Sequence, residues 1–250
     1  MADAQFEYLT FVHNWPVGVL EIPISDSPVN QLIMERLPIR EEWTQSELPL
    51  KINTFLSGVI TYEEALQVSD EFANKVLMGI AFVGEFLVCN LLLQHGRFDG
   101  KTVFGGPIGQ VSNSVISVGR IDLPFIGQEL QDHLGTCEGA AQRYYMMFYA
   151  AMGTSGIGKY LLLYLILLTH FQDEQRQVDN FIRKHEAGVV ETPRPTLKQG
   201  GTPVSETVYT RLRNEVGHHR PGVSQTTTMQ EIEQHTPGLI ALVKKMIAQV

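Results

Sequence analysis

QRYYMMFYAAMGTSGIGKYLLLYLILL, residues 142–168, decides between two different folds. Its centre, G-T-S-G-I-G-K-Y at 153–160, nearly matches the phosphate-binding loop G-x-x-x-x-G-K-[ST]. That loop would require a buried β-strand before it, and so an α/β sheet. Two physical requirements fail. The hydroxyl that would reach magnesium is replaced by Tyr160, whose phenol oxygen lies far from the backbone. The segment ahead carries helix-favouring Ala and Met in place of the Val/Ile run of a buried strand. The glycines therefore read as a turn between two helices, and the chain as mainly α. YLLLYLILL, residues 160–168, is the most membrane-like run, but it falls well short of the roughly 20 apolar residues of a spanning helix and reads as a buried core helix.

Helical pattern continues downstream. DEQRQVDNFIRKHE follows Phe171, with Val178 and Ile182 at near-helical spacing from it. Residues 188–202 form a polar Pro/Gly linker without a core signal. PVSETVYTRLRNEVGH predicts a helix with Thr202 as cap and Pro203 in its first turn, stopped by Pro221. TTMQEIEQHTPGLIALVKKMIAQV is the last helix, with Pro237 expected to start a new segment.

Upstream, the pattern changes. Thr61 can cap a helix and Glu63 and Glu64 suit its positive end, which predicts a long helix from about 62 to 93. Residues 96–127 read as a hairpin or an irregular insertion. FEYLTFV, GVLEIPI and LPLKINTFLSGVI are β-rich runs, with a short helix expected at VNQLIMERL. The expected organisation is α+β overall. A mixed region, 1–127, carries some β structure and the long helix, and a helical bundle spans 128–250.

Composition narrows the function classes. Apolar residues make up 44%, enough for a normal core, and the net charge of −8 argues against a broad, sequence-independent nucleic-acid binder. Cys89 and Cys137 lie among apolar or small residues, as reduced thiols of a cytoplasmic protein would. The N-terminus lacks the pattern of a signal peptide. No H-E-x-x-H or C-x-x-C occurs, and the adjacent pair His218–His219 points about 100° apart on a helix, a poor metal pair. Glu63, Glu64, Asp70 and Glu71 are expected to form a solvated helix face, and Lys244–Lys245 a dipole-favoured helix end. Arg143, Tyr144 and Tyr145 offer a possible cleft lining, although aromatic residues on a helix are more often core. No cofactor, no metal and no membrane span are expected.

The chemistry-bearing stretch is YTRLRNEVGHHRPG, residues 209–222. Asn214 and His218 are four apart, so both fall on one helix face, where the amide can orient the imidazole. A histidine in the last helical turn faces the negative end of the dipole, which favours its charged form and suits acid–base work on a ribose hydroxyl or a leaving oxygen. Arg213 offers a bidentate fork to a phosphate as charge develops. Arg213 and His218 lie about 140° apart around a regular helix. They meet on one face only if Gly217 loosens the last turn, so a complete site calls for a second copy of the motif.

R-N-E-V-G-H, residues 213–218, resembles the R-N-x-x-x-H motif of the HEPN superfamily. VDNFIRKHEAGV together with YTRLRNEVGHHRPGV is also similar to the methylamine utilisation protein MauJ family. The first resemblance covers the helical region from about 128 to 250. It implies an α-helical bundle, a homodimer, and a metal-independent ribonuclease that cuts RNA where the motifs of two protomers meet. Carried over residue by residue, the catalytic set is Arg213, Asn214 and His218. The alternative it leaves open is a non-catalytic interaction module of a metabolic (methylamine utilisation-like) or defence operon, with an operon partner protein. In that case the polar helix end simply satisfies its own terminal carbonyls.

Overall fold

The computed structural model describes all residues except 13–14, 17, 26, 39–47, 86–90, 105–122, 138, 195–204 and 218–223. They form two compact units, Met1–Gly139 and Ala140–Val250.

The first unit is built on an antiparallel sheet of β1 (Ala2–Val12), β2 (Val19–Pro23), β3 (Val29–Arg36), β4 (Leu48–Val59), β5 (Leu92–Phe98) and β6 (Lys101–Phe104), in the order β2-β3-β4-β1-β5-β6. The β-rich runs expected in the first 60 residues are all strands. Alternation sets one face: Phe6, Tyr8 and Thr10 of β1 are buried, as are Leu50, Ile52, Thr54 and Leu56 of β4. Helix α1 (Tyr62–Gly84) covers that face. It buries Ala65, Ser69, Ala73, Val76, Leu77 and Ile80 at helical spacing. Tyr62 packs on Phe6 and Phe98 at ring distances of 5.8 and 6.3 Å. The buried polar atoms on this interface are paired: Tyr8 donates to Ser69 or Asp70, each at 2.7 Å, and Thr54 and Ser69 share a 2.5 Å bond. Asp70 is thus an acceptor for the sheet as well as a member of a polar helix face.

Thr61 caps α1 as expected, accepting from the Glu64 amide at 3.1 Å. Three expectations need correction here. The helix expected over 62–93 ends at Gly84, with Glu85 in the left-handed region at φ 55, and Leu92 and Leu93 belong to β5. The apolar run continues through the stop, so periodicity alone could not see it. VNQLIMERL is β3, not a helix. Its alternation puts Val29, Leu32 and Met34 in the core, and pairing with both β2 and β4 outweighs the helix propensity of Leu, Met and Glu. The hairpin expected after residue 96 is β5–β6, turned by Asp99–Gly100 at φ 48 and 74, the dipeptide and backbone of a type I′ turn. Its start lies at Leu92. Residues 105–122 lie outside the described residues, as do Cys89 and Pro221. Helix α2 (Leu123–Thr136) packs on α1 and β2 within this unit, although the expected bundle began at 128.

The second unit contains α3 (Gly139–Met152, from the unit boundary), α4 (Gly156–His170), α5 (Gln175–His185), a short antiparallel pair β7 (Glu191–Pro193) and β8 (Ser205–Thr207), α6 (Val208–Gly217) and α7 (Gln225–Ile247). The stretch quoted first is helix, turn, helix, as its chemistry required. α4 is the core element. It buries Tyr160, Leu163, Tyr164, Ile166 and Leu167 and packs on α5, α6 and α7.

Sequence patterning misplaced three features here. The linker read over 188–202 contains β7. Ser205–Thr207, expected as helix, is strand β8, and α6 begins only at Val208; Thr202 and Pro203 lie outside the described residues. Pro237 sits inside a continuous α7. A proline in a helix interior costs about 3 kcal/mol. The apolar face of Leu239, Ile240, Leu242, Val243 and Met246, packed on α4 and α6, offsets that cost. Gly238 beside it admits Tyr209: a Cβ there would lie 2.2 Å from the Tyr209 hydroxyl.

Candidate functional site

Helix α6 carries Arg213 and Asn214, and four elements hold it in place. From α4, Tyr160 donates to the Tyr209 carbonyl at 2.8 Å, and Tyr164 shares a 2.6 Å bond with the Thr210 hydroxyl. From α5, one oxygen of buried Asp179 accepts from the Thr207 amide at 3.1 Å and from the Thr207 and Thr210 hydroxyls at 2.7 Å each. Thr207 in turn accepts from the Thr210 amide at 3.4 Å, so the start of α6 is capped twice, by its own threonine and by a carboxylate at its positive end. From α7, Glu231 pairs with Arg211, which also bonds Glu215 one turn on at 2.8 Å; Thr228 donates to Glu215 at 2.9 Å. The two acids raise the Arg211 pKa even though burial opposes them. From β8, Glu206 reaches back along the helix to the motif.

The motif residues fall as follows. Asn214 is 5% exposed and Glu206 1%. Asn214 donates through Nδ2 to Glu206 at 2.9 Å and accepts through Oδ1 from Arg213 Nη1 at 3.0 Å. Arg213 is part-buried. His218 lies outside the described residues, as does His219, and α6 is described up to Gly217. The structure therefore brings Arg213 and Asn214 together, and it adds two buried carboxylates, Asp179 and Glu206, that the sequence did not single out. Asp179 sat in VDNFIRKHE and read as one position of an amphipathic helix. Glu206 sat in PVSETV and read as first-turn helix. The hydroxyls of Tyr164, Thr207 and Thr210 complete the cluster.

The electrostatics of the cluster are legible at Tyr164. Burial holds its phenol well above the ordinary tyrosine range. The Thr210 hydrogen bond and the charge of Arg213 pull the other way, while Asp179 and Glu206 add to the rise. Arg213 and both carboxylates thus lie within electrostatic reach of one buried phenol. The arrangement can present a guanidinium, anchored on one side by a neutral amide, to an anion approaching the end of α6.

The remaining polar candidates fall elsewhere. Lys159 of the glycine-rich turn is buried, and the element before the turn is α3, not a strand. Arg143 is exposed, Tyr144 meets His170 edge-on at 5.8 Å, and Tyr145 is buried. Lys245, in the last turn of α7, donates to the His185 carbonyl at 3.2 Å. In the first unit, Gln5, Glu7, His95, Gly96, Arg97 and Thr102 line a polar cavity of about 360 Å³ over β1, β5 and β6. Among the described residues no three His, Cys, Asp or Glu side chains converge as a metal site would need, and no helix is long and apolar enough to cross a membrane. Cys137 is a buried thiol.

Comparison of the chain with protein-family models, with curated proteins and with solved structures gave no match.

Proposed function

We propose that this protein is a cytoplasmic, metal-independent endoribonuclease with a HEPN-like C-terminal bundle, acting as a homodimer through Arg213, Asn214 and His218. The observation that carries the reading is the hydrogen-bonded run from Arg213 and Asn214 of α6 to Glu206 of β8. A buried amide spent on holding a guanidinium is an arrangement for presenting that guanidinium, and a planar fork of donors matches a phosphodiester. In this reading Arg213 stabilises the charge developing on the phosphate, Asn214 positions it, and His218 moves the proton between the ribose hydroxyl and the leaving oxygen. Because Arg213 and His218 are five residues apart on one chain, the complete cleft uses the motif of a second protomer.

A net charge of −8 favours a second reading, a helical interaction module with an operon partner protein in place of RNA. Incubating a mixed RNA pool with the protein in EDTA, beside the His218→Ala variant, separates the two. Cleavage that disappears in a variant with an unchanged melting temperature supports the nuclease. A folded wild-type protein that leaves the pool intact sinks it and leaves the interaction module.

A further inference from the structure

We propose that Glu206 is the positioning residue of this site: its buried carboxylate fixes the amide of Asn214, and through it the guanidinium of Arg213. The inference rests on the ribonuclease reading above and deepens it by assigning a residue outside the motif.

An asparagine amide has two faces that differ only in which end donates and which accepts, and it can turn end for end at little cost in shape. Its two neighbours here remove that freedom. The Glu206 carboxyl oxygen accepts, and the Asn214 nitrogen faces it at 2.9 Å. A guanidinium only donates, so the Asn214 oxygen must face Arg213, at 3.0 Å. Turning the amide over would set oxygen against carboxylate and NH₂ against guanidinium, two repulsive contacts in place of two bonds. With Glu206 1% exposed and Asn214 5%, water has little access to relieve either one.

The geometry has a consequence for Arg213. Its Nη1 is tied to Asn214, and among the described residues its other N–H donors are not committed to the protein. The arginine is therefore held from one side with a fork left for an anion. Glu206 reaches this position because it is not helical. As the middle residue of β8, paired with Thr192 of β7, it precedes the first turn of α6, and its side chain lies back along the helix to residue 214.

The test is Glu206→Gln in the full-length protein. Glutamine keeps the size but can donate as well as accept, so the Asn214 amide loses the constraint on its nitrogen side and is held by Arg213 alone. Two readouts are taken, with the melting temperature as control. The first is the side-chain amide signal of Asn214 in a ¹⁵N–¹H spectrum, assigned by its loss in Asn214→Asp. It should shift and exchange faster in Glu206→Gln. The second is steady-state cleavage of an oligoribonucleotide, in which kcat should fall roughly tenfold or more, as on loss of an outer partner of a site side chain, while KM changes less than about twofold. An unchanged amide signal overturns the proposal. So does a loss of activity that follows only the loss of folded protein. If Glu206→Gln does not fold, the exchange Glu206→Gln/Asn214→Asp restores one donor and one acceptor across the same contact and should recover folding; failure to do so also overturns the pairing. If the wild type cleaves no RNA, the ribonuclease reading falls by itself, and the amide signal still decides whether Glu206 fixes Asn214.

Discussion

His133 shows how one buried side chain makes stability depend on pH. It lies on α2 with 4% of its surface exposed, its ring stacked on Phe82 at 5.9 Å. Burial lowers its pKa from 6.5 to about 4, against a backbone hydrogen bond at Lys75 that pulls it up. In the unfolded chain the ring takes its proton near pH 6.5, and in the folded chain only near 4. Between those values the unfolded state holds the extra proton, so stability rises with pH and is lost on acidification. The loss over that window is up to roughly 3 kcal/mol. Urea denaturation followed by tryptophan fluorescence at a series of pH values measures it. His133→Leu should flatten the dependence between 4 and 6.5, and an equally steep curve in the variant would assign the effect to other groups. The same histidine was anonymous in the sequence, because nothing in LQDHLG marks a ring that will be covered by another helix.

At the scale of elements, α6 depends on its neighbours more than on itself. It has ten residues, below the length at which a helix holds in water, and it starts directly from a strand without a helix-capping box. Asp179 of α5 supplies what is missing by accepting three hydrogen bonds at its start. Asp179→Ala should leave those donors buried without an acceptor, at a cost of about 3 kcal/mol. Asp179→Asn, which keeps one acceptor oxygen, should cost less. Thermal melts of the three proteins give the order; if alanine and asparagine are equally harmless, the carboxylate is not what fixes α6. Arg213 and Asn214 are adjacent on α6, and the Asn214 amide is bonded on both sides, to Arg213 and to Glu206. What could not be read was Glu206. It lies eight residues before Asn214, a separation that no helical or strand period brings together. Only the switch from β8 to α6 folds it back.

At the scale of the whole molecule, the chain has two compact units with separate cores, one under a sheet and one around α4. Both tryptophans, Trp15 and Trp43, belong to the first unit by sequence, so their fluorescence reports that unit alone, while helical ellipticity reports both. Asp179→Ala should therefore move the urea transition seen by ellipticity more than the one seen by tryptophan, and His133→Leu should do the reverse at low pH. Coincident shifts of both probes would mean that the units unfold as one.

The sequence by itself determined the parts with a local physical signature. β-rich runs marked β1, β2 and β4 of the sheet. Thr61 with its acidic first turn marked the start of α1. The misfit of Tyr160 and of a helix-forming segment before the glycines argued against a phosphate loop and made 142–168 two helices joined by a turn. The tertiary structure decided what depends on partners distant along the chain. VNQLIMERL became a strand because two neighbours pair with it, Pro237 stayed within α7 because packing outweighs one lost backbone bond, and Asp179 and Glu206 became buried acceptors because four other elements meet at α6. Periodicity records which face of a segment is apolar. It does not record which distant donor will lie against that face, and the candidate site is made of such donors and acceptors.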